Sequence, residues 1–105
     1  MAWFYLVIAG ALEVVWAFFM KQSMGFTRLT PSIITIVTML ASFWLLAVAM
    51  RTIPLGSAYT IWTGIGAVGA FLAGIIFLAE PVNPMRIIAA VLIVSGLVLM
   101  KISSS

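Results

Sequence analysis

There is no cysteine and no histidine in this sequence, and charged residues make up only 7% of it. Without cysteine, disulfides and thiolate metal sites are excluded, and the redox compartment is not legible. Without histidine, a conventional metal site or a Ser–His relay has nothing to be built from. Soluble domains carry about 25% charged residues, so a chain this poor in charge and 66% hydrophobic is not a water-soluble globule. The five basic residues, Lys21, Arg28, Arg51, Arg86 and Lys101, stand singly at the edges of apolar runs. A nucleic-acid surface needs them clustered, so they read as membrane-flanking anchors. No cofactor and no metal is expected. With no nucleophile–base pair and no metal-ligand set, an enzyme is not expected either.

What is there is four apolar runs separated by short polar punctuation. The expected spans are residues 2–20, 31–50, 57–79 and 85–101. Lys21-Gln22-Ser23 closes the first, and Pro31 suits the first turn of the second. Arg51 ends the second, with Pro54 and Gly56 marking a turn. Glu80-Pro81 stops the third. The fourth runs from Pro84-Met85 to Lys101, before a polar Ser103-Ser104-Ser105 tail, and requires Arg86 and Lys101 to snorkel outward. A spanning helix takes about 20 residues, so four of them use most of the 105. The expectation is an all-α membrane protein, one four-helix transmembrane domain over residues 1–105. A cleaved signal peptide is not expected, because no basic segment precedes the first run and Glu13 interrupts it.

Glu13 is the only charge in the first twenty residues. A carboxylate near the middle of a spanning helix costs about 3 kcal/mol or more, so it marks a functional site. Residues three and four away share its face: Ala9, Gly10, Trp16 and Ala17. They form a notch with one aromatic wall, where Trp16 serves either packing or cation–π contact. Ser42, mid-way along the second span, either bonds its own helix or donates to Glu13. Tyr59, Trp62 and Thr63 occupy neighbouring positions at the start of the third span. With no Lys or Arg assigned to neutralise Glu13, its partner is a proton or a cationic ligand. Competition between the two for one carboxylate is the simplest physical basis of proton-coupled antiport.

A single chain of four helices does not readily enclose a polar path. The basic residues bear on this. Arg51 and Lys101 fall on the same side as the N-terminus, and Lys21, Arg28 and Arg86 fall on the other. The bias is small, so the chain is expected either to insert both ways, allowing two copies to pair antiparallel, or to take one orientation set weakly by Lys21 and Arg28. Small residues let membrane helices approach closely. Gly66, Ala70 and Gly74 form such a stripe in the third span, and Ala89 and Gly96 are expected to serve dimer packing in the fourth. Gly64-Ile65-Gly66-Ala67-Val68-Gly69 matches a dinucleotide fingerprint, but it lies inside a continuous apolar run with no strand before it and is rejected. Glycines there fit a flexible membrane helix better.

These residues resemble the small multidrug resistance transporters over essentially the whole chain. The likeness rests on the four spans, the position of Glu13, Gly25-Phe26-Thr27-Arg28 and Pro54-Leu55-Gly56-Ser57-Ala58-Tyr59. Gly10-Ala11-Leu12-Glu13-Val14-Val15-Trp16-Ala17 and Trp62-Thr63-Gly64-Ile65-Gly66-Ala67 are similar to the guanidinium-exporter branch. The multidrug branch typically lacks a tryptophan at the position of Trp16. The resemblance implies an antiparallel, dual-topology homodimer in a bacterial inner membrane. It implies export of guanidinium or small substituted guanidinyl cations, such as guanylurea, in exchange for protons, with both bound by Glu13. It further implies that Trp16 and Ser42 belong to a hydrogen-bond network around Glu13, that Tyr59 and Trp62 are binding-site aromatics, and that Gly10 gives space beside the acid. Met39, Phe43 and Thr63 are expected to line the site, and Gly64, Gly66 and Gly69 to let the third helix flex. The alternatives are a broader quaternary-ammonium exporter and, from another class, a non-transporting membrane assembly subunit.

Overall fold

A computed structural model describes residues 1–104; Ser105, the last of the expected tail, lies outside the described residues. The chain folds as α1 (Ala2–Gln22), α2 (Leu29–Ala49), α3 (Leu55–Leu78) and α4 (Pro84–Ser104). All four are long and apolar enough to cross a membrane.

Local chemistry sets the ends. Lys21 sits in the last turn of α1, where a cation suits the carbonyl end of the helix. Pro31 lies in the first turn of α2, where its missing N–H has no intrahelical partner to lose. The turn expected at Pro54 and Gly56 closes sooner: Pro54 caps α3, and Gly56 already belongs to its first turn. At its other end α3 stops because Ala79 adopts a left-handed conformation (φ 53°). The Glu80 N–H then donates to the Gly74 carbonyl at 3.1 Å, and Pro81 cannot extend a helix. Asn83 caps α4, its Oδ1 accepting the Arg86 N–H at 2.9 Å, with Pro84 at the first helical position. α4 continues past Lys101 to take in Ser103 and Ser104.

α1 is the central helix, packed along both α2 and α3, whereas the α4 backbone approaches only α3. Gly10 meets Ile65, Glu13 meets Gly66 and Val14 meets Gly69, so α1 and α3 run parallel and in register. The buried apolar core gathers at one end of the bundle. It consists of Leu6 and Ala9 of α1, Leu46 and Ala49 of α2, Ile53 in the turn, and Ala58, Ile61 and Trp62 of α3. Among the described residues of α4, 84–103, none is buried. Its end is tied to α1 by Lys101, whose Nζ lies 4.9 Å above the Trp3 ring.

Candidate functional site

The register of α1 on α3 decides where the Glu13 carboxylate lies. A Cβ built on Gly66 would overlap that carboxylate, so the acid rests on bare α3 backbone in the seam between the two helices. Its Oε1 is buried and has no hydrogen-bond partner among the described residues; the same is true of Trp16 Nε1, one turn further along α1. A buried polar atom left unpaired costs about 1–3 kcal/mol, more when charged. The pair therefore amounts to an acceptor and a donor, both unsatisfied, on one helix face.

An aromatic string leads away from them. Trp16 meets Phe43 edge-on with ring centroids 6.4 Å apart. Phe43 meets Trp62 at 5.7 Å, and Trp62 meets Tyr59 at 5.6 Å. These separations are within the range for favourable ring contacts. The string crosses α1, α2 and α3, so the fold assembles four aromatic residues named from the sequence. Trp62 is fixed by its indole N–H, which donates to Ser42 Oγ at 3.0 Å.

Ser42 does neither of the two things expected of it. Its hydroxyl donates across to the Ala9 carbonyl of α1 at 2.6 Å. Ala9 and Ser42 are both fully buried, so the helices meet closely enough for a side chain to reach backbone. In an α-helix the carbonyl of residue i−4 accepts the amide of residue i, so the Ala9 carbonyl also belongs to the turn that carries Glu13. Ser42 and Trp62 are thus anchored to the backbone that positions the acid, and not to the acid itself.

The other named residues are distributed less simply. The space at Gly10 is occupied by Ile65, and the bare backbone under the carboxylate is that of Gly66. Met39 is half-buried one turn before Phe43 on α2. Thr63 is exposed and borders a groove between α3 and α4, with Tyr59 and Gly96, away from the α1–α3 seam. Gly64 and Gly69 seat Leu97 and Val14, and α3 is continuous through all three glycines. Ala89 and Gly96 are exposed along the same α3–α4 groove, and a Cβ on Gly96 would meet open space. Sequence reasoning missed the Ala9 carbonyl and Gly66 as the floor under the acid. The signal for Gly66 was present: Glu13-Ala17-Lys21 and Gly66-Ala70-Gly74 are two rows of equal spacing.

Residues 1–93 match the family described as Small Multidrug Resistance protein. The chain is 55% identical over 104 residues to proteins named Guanidinium exporter from Escherichia coli (strain K12), Shigella flexneri and Citrobacter freundii. In each case the match covers 99% of this chain and 99% of the relative.

Proposed function

This chain belongs to the Small Multidrug Resistance family as a multi-pass inner-membrane protein, and on that premise we propose that it exports guanidinium-type cations in exchange for protons. The observation that carries the reading is the unpartnered, buried Glu13 Oε1 beside an aromatic wall. A guanidinium ion presents N–H donors in a planar fork that matches a carboxylate, and its face stacks on aromatic rings. Proton and cation satisfy the same oxygen, so each displaces the other. The relatives' printed name, Guanidinium exporter, supports the same cargo. Transport of this kind leaves the covalent structure of its cargo unchanged, the only bond made and broken being the O–H of the Glu13 carboxyl, so the protein is a carrier and not an enzyme.

The working unit in this reading is an antiparallel homodimer of dual-topology chains. Three features support it: the nearly even split of basic residues between the two sides, an α4 with no buried residue among those described, and the small Ala89 and Gly96 exposed along it. An inverted second copy supplies the second Glu13 and the opposed half that secondary transporters commonly build from inverted repeats. Trp16, Ser42, Tyr59 and Trp62 shape the site and Met39 and Phe43 line its approach, whereas Gly10 seats Ile65 and Thr63 borders the α3–α4 groove; Gly64, Gly66 and Gly69 accommodate the motion of α3.

Proteoliposomes with an imposed pH gradient test this. Guanidinium uptake is expected with the wild type and absent with Glu13→Gln, which keeps the shape and loses the exchangeable proton. Uptake unchanged by that substitution would sink the reading, and protein that binds and moves no cation would favour an assembly subunit. The apparent KM for guanidinium is expected to rise as pH falls, by up to about tenfold per pH unit for each proton displaced. A pH-independent KM would remove the competition. Weak guanidinium binding beside tight binding of a bulky lipophilic cation would favour the quaternary-ammonium alternative.

A further inference from the structure

Glu80, read from the sequence only as a helix stop, folds back onto α3. Its carboxylate lies so close over Gly74 that a Cβ there would overlap it. The same carboxyl-bearing residue and Lys21, from the last turn of α1, line one cleft of about 210 Å³ whose walls include Ala17, Ala70 and Gly74. That volume is several times the roughly 30 Å³ share of one water, so a small planar cation fits with solvent around it. Ala17 and Ala70 are one turn outward from Glu13 and Gly66 on the two parallel helices. The cleft is therefore the outer end of the seam that holds the acid.

The charges around it are unequal. Both α1 and α3 present their carbonyl ends here, each equivalent to about half a negative charge. A carboxylate at such a place is electrostatically unfavourable, and Glu80 adds its charge to the same side. Among the described residues, Lys21 is the one cation lining the cleft. Arg28 and Arg86 fall on the same side of the membrane but line no part of it, and the Arg86 guanidinium donates to the Pro81 carbonyl at 3.4 Å.

We propose that this cleft is a peripheral station for the guanidinium-type cation, where Glu80 receives it on the way to or from Glu13 and Lys21 competes with it for the carboxylate. The inference rests on the transport reading above and adds a second site to it. In an antiparallel pair each side of the membrane carries one such mouth. The Glu80 carboxylate accepts the cation's N–H fork in the manner of Glu13, but in reach of water, so the station holds its guest weakly and acts on the rate of entry. The bare Gly74 is what lets the carboxylate lie in the cleft.

The test is initial-rate guanidinium transport in proteoliposomes at low and high ionic strength, with guanidinium binding followed by tryptophan fluorescence. Glu80→Gln is expected to raise KM about three- to tenfold at low salt, with the maximal rate and equilibrium binding unchanged. High salt should erase that difference, since at 1 M the screening length is about 3 Å. Lys21→Gln is expected to lower KM, and Gly74→Ala, which displaces the carboxylate and keeps its charge, to raise it. A Glu80→Gln curve superimposed on the wild type would overturn the station and leave the transport reading standing. So would a salt-insensitive fall in maximal rate, or a Lys21→Gln shift in the same direction as Glu80→Gln, since either marks structural damage. A wild type that neither binds nor moves guanidinium would overturn the transport reading, and the station with it.

Discussion

The two ends of this bundle are closed by different means. At the end holding the N-terminus, Leu6, Leu46, Ile53, Ile61 and Trp62 fill the space between α1, α2 and α3. At the other end the buried residues are Ser23, Thr35, Gly66 and Gly74, and no large apolar side chain is buried there. Glu13 stands at the border, with Ala9 of the packed end one turn before it and the glycine-floored seam beyond it. One end is a clamp built from interlocking side chains. The other is a seam in which Gly66, Gly69 and Gly74 leave bare α3 backbone under Glu13, Val14 and Glu80, with the Phe18 and Phe77 rings meeting across it at 5.8 Å. Bare backbone on α3 leaves room for small ions and water beside the acid, and parting the helices there disturbs fewer large side chains than at the packed end. A carrier needs both properties, an anchored acid and a path that opens to it.

That contrast can be broken first by stability. Leu6→Ala is expected to cost about 2–3 kcal/mol of unfolding free energy, read by denaturant unfolding in detergent. This is the lower part of the range for soluble cores, because lipid is as apolar as leucine and only packing is lost. Ile76→Ala, on the outward face of the open end, is expected to change stability by less than about 0.5 kcal/mol. Equal losses at the two sites would mean that the open end is packed as firmly as the other.

Gly66→Ala tests the border itself. The added methyl overlaps the Glu13 carboxylate, so either the acid swings away or α1 and α3 separate. Overpacking of this kind costs about 1–3 kcal/mol, and at about 1.4 kcal/mol per tenfold guanidinium transport should fall about 5- to 150-fold. Chromatography in detergent should show an undisturbed assembly. Near-normal transport would show that the seam is loose enough to yield, and would weaken the case for Gly66 as the floor of the site.

The sequence made the spans and the acid legible, because hydropathy over about 20 residues and one charge inside it depend on no partner. The aromatic residues named from the sequence, Trp16, Phe43, Tyr59 and Trp62, meet one another in a string. What the sequence left hidden depends on helix rotation and register. The Ser42 hydroxyl has many acceptors within reach of a sequence-level guess, and only the packing of α2 on α1 selects the Ala9 carbonyl. Gly10 stands on the face of Glu13 by count, yet Ile65 fills its space because α3 lies over it. Glu80 looked like punctuation, because nothing local says that the chain turns its carboxylate back over Gly74.

The smallest expected effect concerns the polar link that Ser42 makes in the packed end. Ser42→Ala removes the donor to the Ala9 carbonyl and the acceptor of the Trp62 indole N–H. Hydrogen bonds between membrane helices are worth about 0.6 kcal/mol on average and seldom more than about 1.7. The Ala9 carbonyl keeps its helical partner, so the loss falls mainly on Trp62, and a destabilisation of about 1 kcal/mol is expected. Trp62→Phe isolates that term, because a phenyl ring needs no acceptor. In the Trp62→Phe background Ser42→Ala should cost measurably less, a coupling that unfolding of the four proteins in the cycle would read out. If the cost is the same in both backgrounds, the serine acts through the Ala9 carbonyl alone. The tryptophan would then be held by its ring contacts with Phe43 and Tyr59, and the anchoring of the acid's turn would rest on α2 without α3.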